Sequence, residues 1–486
     1  MTQFTGRLLR CSESRAPDAS FLYMENRIVH MHVTGMIMLD PSSMPDGYSL
    51  RSVRGTSSAD SIESRSSASR LLWTPFDIDH PTWADDPEFN IDNHLHREVL
   101  KGKKATLRGL KDWVGAFASE PLDRDRPLWK MVVIEGLDSG SIAVVSKVHH
   151  VAVDGTTGTD IMAQIVDLAP TAEQEEIPPY QPGRLPSRVE LAYRGVASRA
   201  LDPLRAVRAF GRTAGSISRI VRGATGEDDS KASMARPFDA PRTFFNHSLT
   251  PKRSVAFEAA RLDDLKYTKA TFGVTVNDVF LAACTQALRG YLADHGEFLT
   301  RPLVVSVPVS VKGQTSTDSA NQVSNMFVRL PVHVDDPVKQ LRLVHADTRD
   351  AKVVHGAIAA DIIGDVTEVT PPAIFNLASR MYSRIGLADR LTPIHNLVIS
   401  NVPGPPFPLY VAGARLQAVY PFGPLIEGSG LNITVLSNMG NMDIGVIACP
   451  DVAPDIDDLA MGIVEAISVL RDAAEAAGGP DVGDKK

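Results

Sequence analysis

Cysteine is scarce. Cys11, Cys284 and Cys449 are the only three in 486 residues, and none stands in a CxxC pair. An odd, scattered set supplies neither a disulfide framework nor a zinc site, and it suits a reducing cytoplasm. Long apolar runs are missing too, since a membrane-spanning helix needs roughly 20 such residues in succession. The first residues, MTQFTGRLLRCSESR, lack the apolar core of a signal peptide. There is no excess of positive charge: the formal net charge is −8, and basic residues are not interleaved with aromatics, which argues against nucleic-acid binding. No HExxH motif is present, and no serine or cysteine sits in a nucleophile motif. These absences point to a cytoplasmic protein, soluble or at most peripheral, long enough for two or three domains.

Against that background one stretch carries chemistry: SIAVVSKVHHVAVDG, from Ser141 to Gly155. Its first half has the β-branched residues of a strand, with Ile142, Val144 and Val145 followed by Ser146 and Lys147. If the strand stays regular, His150 shares a face with Ile142, Val144, Ser146 and Val148, while His149 shares the other with Ala143, Val145 and Lys147. Asp154 and Gly155 then form a tight turn into a segment in which Ile161, Ile165 and Leu168 recur at helical spacing. Imidazole is well suited to accept a proton near neutral pH, provided its tautomer is fixed. An isolated histidine on an apolar face is more often a packing residue, and an isolated Asp-Gly a turn, so the rest of the chain must decide.

The chain divides into residues 1–175, which carry HHVAVDG, a segment 176–241, a region 242–476, and a tail 477–486 expected to be disordered. The first part begins with FLYMEN, a short helical signal, and a strand over RIVHMHVTGMIML. A Ser-rich stretch follows near 49–70, and a helix is expected over LKDWVGAFASE. The segment 176–241 opens on the Pro-rich EEIPPYQPGRLP. From Arg184 to Arg222 it holds nine arginines against Glu190 and Asp202, interleaved with apolar residues such as Leu191 and Val196. That pattern fits a basic amphipathic helix on an anionic lipid surface, or equally a linker helix with a solvated arginine face. The region 242–476 alternates strands and helices, including an amphipathic helix from about Asn277, strands at LVVSVPVSV and NQVSNMFVRLPV, and a closing helix over DIDDLAMGIVEAISVLRDAAEAA.

Taken together, these stretches resemble the bacterial wax ester synthase/diacylglycerol acyltransferase family, in particular its actinobacterial triacylglycerol synthase branch. The HHxxxDG signature runs from His149 to Gly155. PLDRxRPLW runs from Pro121 to Trp129, and GVTVNDVFLA contains Asn277 and Asp278. VPVSV, NQVSNMFVRLP and SNVPGP follow in order, the last including Ser400, Asn401, Pro403 and Gly404. The sequence departs from the family pattern in the Ser-rich stretch, at Lys312 and Ala320 where arginine and glycine are common, and at Asn438 where tyrosine is frequent.

The resemblance implies an α/β fold of two chloramphenicol-acetyltransferase-like domains, each a mixed sheet flanked by helices, with an active-site channel between them. It implies O-acyl transfer from long-chain acyl-CoA to diacylglycerol, or to a long-chain fatty alcohol in wax ester synthesis, with acyl-CoA as substrate and no cofactor or metal. His150 would be the general base, supported by His149. Asp154 would orient the loop, and Asn277 would stabilise the oxyanion. Three other readings compete. HMH at 30–32, HLH at 94–96 and HH at 149–150 could supply metal ligands, though no acid-rich ligand set accompanies them. An inactive lipid-binding or lipid-droplet scaffold would keep the fold without the chemistry. A related transferase acting on an amine or a small alcohol would keep the chemistry and change the acceptor.

Overall fold

A computed structural model describes residues 12–13, 21–44, 67–153, 165–171, 183–200, 235, 239–310, 323–357 and 381–480. Among these, two six-stranded mixed sheets organise the chain, together with a small three-stranded sheet of Ser12–Glu13, Thr82–Asp85 and Ser69–Leu72. The first large sheet runs, edge to edge, Tyr410–Val411, Ala414–Phe422, His32–Asp40, Ile142–His149, Trp129–Glu135, Leu95–Val99. The second runs Val323–Leu330, Leu303–Ser310, Leu397–Val402, Leu431–Asn438, Asn441–Ala448, Ser254–Arg261. Both are mixed α/β layers, as the sequence implies.

Alternation decides how the first sheet is packed. Along Ile142–His149, Ile142, Val144 and Val148 join a cluster with Ile37, Trp129 and Met131 on one side. Ala143 and Val145 turn to the other side, where helix Leu107–Ser119 lays down Leu110, Val114 and Phe117. That helix begins where Thr106 caps it, its hydroxyl accepting from the Gly109 N–H. The same cluster contains Val255, Phe257 and Ile447 of the second sheet, so one apolar core spans both halves. In the second half, helices Val276–Asp294 and Ile456–Ala476 bury Phe280, Leu281, Leu288, Ile463, Ile467 and Leu470 against the strands.

The halves are also joined by backbone. Ala414–Phe422, from the C-terminal half of the chain, pairs antiparallel with His32–Asp40 and thereby completes the first sheet. A linear division of the chain does not describe this crossing. The crossing strand passes so close to Asn441–Ala448 that a Cβ on Gly445 would overlap the Pro421 carbonyl oxygen, which is why glycine stands there. Gly445→Ala is expected to lower stability by about 1–3 kcal/mol, seen as an earlier urea midpoint with an unchanged slope. A wild-type midpoint would show that the crossing strand can retreat at no cost.

Several expectations meet the structure differently. The helical spacing through Ile165 and Leu168 does not extend that far: residues 165–171 are irregular, and Asp167 forms a bridge to Tyr410 instead. Helix Arg188–Ala200 accounts for the start of the basic stretch, whose remainder to Arg222 lies outside the described residues. Also outside them are the Ser-rich stretch to Ser66, Lys312, Ala320 and tail residues 481–486. No helix among the described residues is long and apolar enough to cross a membrane.

Candidate active site

The strand Ile142–His149 ends one residue earlier than simple alternation assumes. His149 is its last residue, and His150 opens a helical turn over His150–Val153. The face assignment therefore holds through His149 but not for His150, whose direction is set by the turn. This break places two neighbouring imidazoles in different surroundings. Asp154 and Gly155 lie outside the described residues.

His149 is fully built into the protein, only 1% exposed. Its backbone N–H donates to Leu128 O at 2.9 Å, and its Nδ1 accepts the Val151 N–H at 3.1 Å. An Nδ1 that accepts requires the proton on Nε2, which lies 3.3 Å from the Glu25 carboxylate. Burial drives the imidazole below its ordinary pKa more strongly than the Glu25 contact raises it. The Val151 contact thus leaves the Nε2 proton of His149 directed at Glu25.

Glu25 in turn meets Arg124, whose Nε donates at 2.8 Å and whose Nη2 also reaches the same oxygen. Burial alone would raise the Glu25 carboxyl, but the proximity and charge of His149, followed by the charge of Arg124, outweigh it and hold it at about 2. The Arg124 guanidinium also donates to Leu22 O and lies over the Trp73 ring.

His150 is half-buried, and its ring stacks on Phe21 with centroids 4.0 Å apart. Its backbone N–H is fixed by Met31 O at 2.7 Å. Phe21 and Glu25 come from the segment the sequence marks as helical at FLYMEN, so one short element touches both histidines. Neither residue stands out by motif; a carboxylate set among Leu22, Tyr23 and Met24 was the available signal.

The motif from Pro121 to Trp129 surrounds the pair. Pro121 is exposed, whereas Leu122, Leu128 and Trp129 are buried. Trp129 starts the strand beside Ile142–His149, and its indole N–H donates to Ser67 O at 2.8 Å. Arg124 and Leu128 supply the two contacts described above, so the motif acts as the support of the histidine pair. Behind it, Lys147 is 1% exposed, and its ammonium donates to Phe117 O and Glu120 O at 2.7 and 2.6 Å. These carbonyls form the C-terminal end of helix Leu107–Ser119, where positive charge is favourable; burial lowers this lysine to about 8.

Asn277 stands on the second half, one residue into helix Val276–Asp294. Thr275 and Asp278 make a capping box there, and Asp278 additionally accepts from Thr348 and pairs with His345, 2.7 and 2.8 Å away. Asp278 is therefore a buried helix anchor. The Asn401 amide donates to Asn277 Oδ1 at 3.2 Å, which leaves the Asn277 NH₂ group as the donor end. Gly404 lets the chain after that strand touch Ser437, whose hydroxyl accepts the Gly404 N–H at 2.9 Å. Ser400 and Asn401 lie within strand Leu397–Val402, inside the second sheet, and Pro403 follows it. Asn438 donates to the buried Asp443 at 3.0 Å.

The HxH pairs serve the backbone. His32 Nε2 lies 3.0 Å from Ala118 O, and His94 Nδ1 lies 2.8 Å from Trp129 O. Among the described residues no group of three or more His, Cys, Asp and Glu is arranged to hold a metal. A cavity of about 480 Å³ between Arg108, Lys111 and Asp457 is lined by neither histidine of the pair, nor by Glu25 or Asn277; it lies along a seam of paired charges, with Lys111 2.6 Å from Asp457.

A family model for the wax ester synthase/diacylglycerol acyltransferase catalytic domain matches residues 15–280, and one for the C-terminal domain matches residues 319–471. The chain belongs to the wax ester synthase/diacylglycerol acyltransferase family. A relative from Mycobacterium tuberculosis that bears a provisional diacylglycerol O-acyltransferase name is 36% identical over 463 residues, spanning 94% of this chain and 90% of its own. The O-acyltransferase WSD of Acinetobacter baylyi is 29% identical over 460 residues, spanning 93% and 96%. Among solved structures, the wax ester synthase/diacylglycerol acyltransferase of Marinobacter aquaeolei superposes with a TM-score of 0.67 at 24% identity, covering 96% of this chain and all of that one. The first condensation domain of the calcium-dependent antibiotic synthetase superposes at 0.55 with 14% identity, covering 96% and 97%. These likenesses establish the expected two-domain fold for this family member.

Proposed function

We propose that the protein transfers a long-chain acyl group from acyl-CoA to the free hydroxyl of diacylglycerol, giving triacylglycerol and CoA, with His150 as general base. The observation that carries the assignment is the unequal histidine pair. His149 is buried, with Nδ1 accepting from Val151 and Nε2 3.3 Å from the Glu25 carboxylate, whereas His150 is half-buried against Phe21 at the strand-to-helix break.

In this reading His150 takes the acceptor proton as the hydroxyl oxygen attacks the thioester carbonyl. The tetrahedral oxyanion collapses by breaking the C–S bond, and the imidazolium returns the proton to the CoA thiolate. No covalent acyl-enzyme forms and no cofactor takes part. Asn277, its NH₂ oriented by Asn401, donates to the oxyanion, and Asp154 holds the turn. Asn277→Ala is expected to lower kcat about 10²–10³-fold with little change in KM. An equal loss in Asp278→Asn without melting of the helix would instead place the donor elsewhere.

Diacylglycerol resides in lipid surfaces, so the reaction is set at the boundary between a cytoplasmic acyl-CoA pool and a bilayer or droplet. The test is CoA release by purified protein from a long-chain acyl-CoA, with diacylglycerol or a long-chain alcohol as acceptor. Release that depends on diacylglycerol is expected; faster release with the alcohol would reassign the product as wax ester. No release with either, from folded protein that still binds lipid, would replace the enzyme by a scaffold.

A further inference from the structure

The anchor at Asp278 is stronger than helix capping requires. A capping box needs only the Thr275 N–H, which reaches Asp278 Oδ2 at 2.9 Å. Two more donors come from another helix, Pro337–Ala357, on which His345 and Thr348 stand one turn apart and share a face. His345 Nδ1 donates to Oδ2 at 2.8 Å, and the Thr348 hydroxyl donates to Oδ1 at 2.7 Å. The carboxylate they meet is only 1% exposed, beside an imidazole that is 36% exposed. That helix is itself fastened. Asp347 accepts the Arg329 backbone N–H at 2.7 Å and the Arg329 guanidinium at 2.9 Å, which ties it to strand Val323–Leu330.

The position of Asp278 shows why the extra donors matter. Burial would raise this carboxyl, but the bonds from His345, Thr348 and Thr275 outweigh it and hold it below its ordinary value, so it stays ionised. No lysine or arginine among the described residues pairs with it. Its charge lies one residue from Asn277, the donor to the oxyanion in the acyl-transfer reading, and two negative charges repel. Donors on both carboxylate oxygens satisfy its lone pairs and weaken its field there. They also fix the turn. Neighbouring residues of a helix point about 100° apart. Asp278 therefore faces helix Pro337–Ala357 while Asn277 faces Asn401, whose amide donates to it at 3.2 Å.

We infer that His345, with Thr348, is a positioning residue for Asn277: by holding Asp278 it sets the direction of the Asn277 amide and shields the oxyanion from the carboxylate. This role rests on Asn277 as the oxyanion donor in acyl transfer, which Asn277→Ala tests separately. Steady-state kcat and KM for acyl-CoA are compared in wild type, His345→Leu, His345→Asn, Asn277→Ala and a variant combining His345→Leu with Asn277→Ala. An asparagine amide takes nearly the place of the imidazole Nδ1, whereas leucine offers no donor. His345→Leu is expected to lower kcat about tenfold at unchanged KM, as a small displacement of a group at the reacting centre does. His345→Asn should recover most of that loss. The combined variant should be no slower than Asn277→Ala, because no donor is left to position. Wild-type kcat in folded His345→Leu, an equal loss in His345→Asn, or losses that multiply in the combined variant each overturn the inference and leave His345 a role in stability alone. If His345→Leu fails to fold, Thr348→Val removes the other donor at nearly constant volume and is read in the same way. Wild-type kcat in Asn277→Ala would instead remove the oxyanion donor itself, and the positioning role with it.

Discussion

His150→Ala is expected to lower kcat by about 10²–10⁴-fold, the usual contribution of a positioned general base, with KM for acyl-CoA changed little. Stability should change by much less than for a core residue, because His150 is half-buried and its main packing loss is the stack on Phe21. His149→Ala is expected to behave in the opposite way. Removing a ring at 1% exposure leaves the Val151 N–H without its acceptor and the Glu25 carboxylate without its imidazole partner, at about 2–4 kcal/mol. The decisive comparison is between kcat and urea midpoint in the two variants. If His149→Ala keeps a wild-type midpoint and loses kcat as His150→Ala should, the roles are reversed.

The two histidines also show how far a sequence carries. Alternation explains Ile142 to His149 well: Ile142, Val144 and Val148 face one core, and Ala143 and Val145 face helix Leu107–Ser119. It assigns His150 to the Val148 face, yet at His150 the backbone is already helical, so that residue is selected by a turn whose geometry the alternation rule does not contain. The strands, the helix over LKDWVGAFASE and the closing helix are legible because each has a strong apolar period. The crossing of Ala414–Phe422 into the first sheet is not legible, since pairing across some 380 residues leaves no local trace beyond glycine at position 445. The site shows the same division. His149, His150 and Asn277 can be found from motifs, whereas Glu25 depends on a fold that brings residues 25, 124 and 149 to one point.

Glu25→Ala is expected to destabilise the protein by about 3 kcal/mol at pH 7, toward the low end for a broken buried ion pair because Arg124 is 36% exposed and can turn to water. Turnover should fall with it, since the His149 tautomer and the strand-to-helix break lose their anchor. Glu25→Gln keeps the size and an acceptor toward His149 Nε2, so it should cost less stability and retain more activity. The pH dependence gives an independent check. The carboxyl is held at about 2, below its ordinary value of 4.5, so its stabilisation is complete above about pH 4.5 and disappears as pH falls through 2. The stability gap between wild type and Glu25→Gln should therefore close across that window. A gap that stays constant from pH 7 to pH 2 would mean that the charge of Glu25 stabilises nothing, and that His149 is held by packing and the Val151 N–H alone.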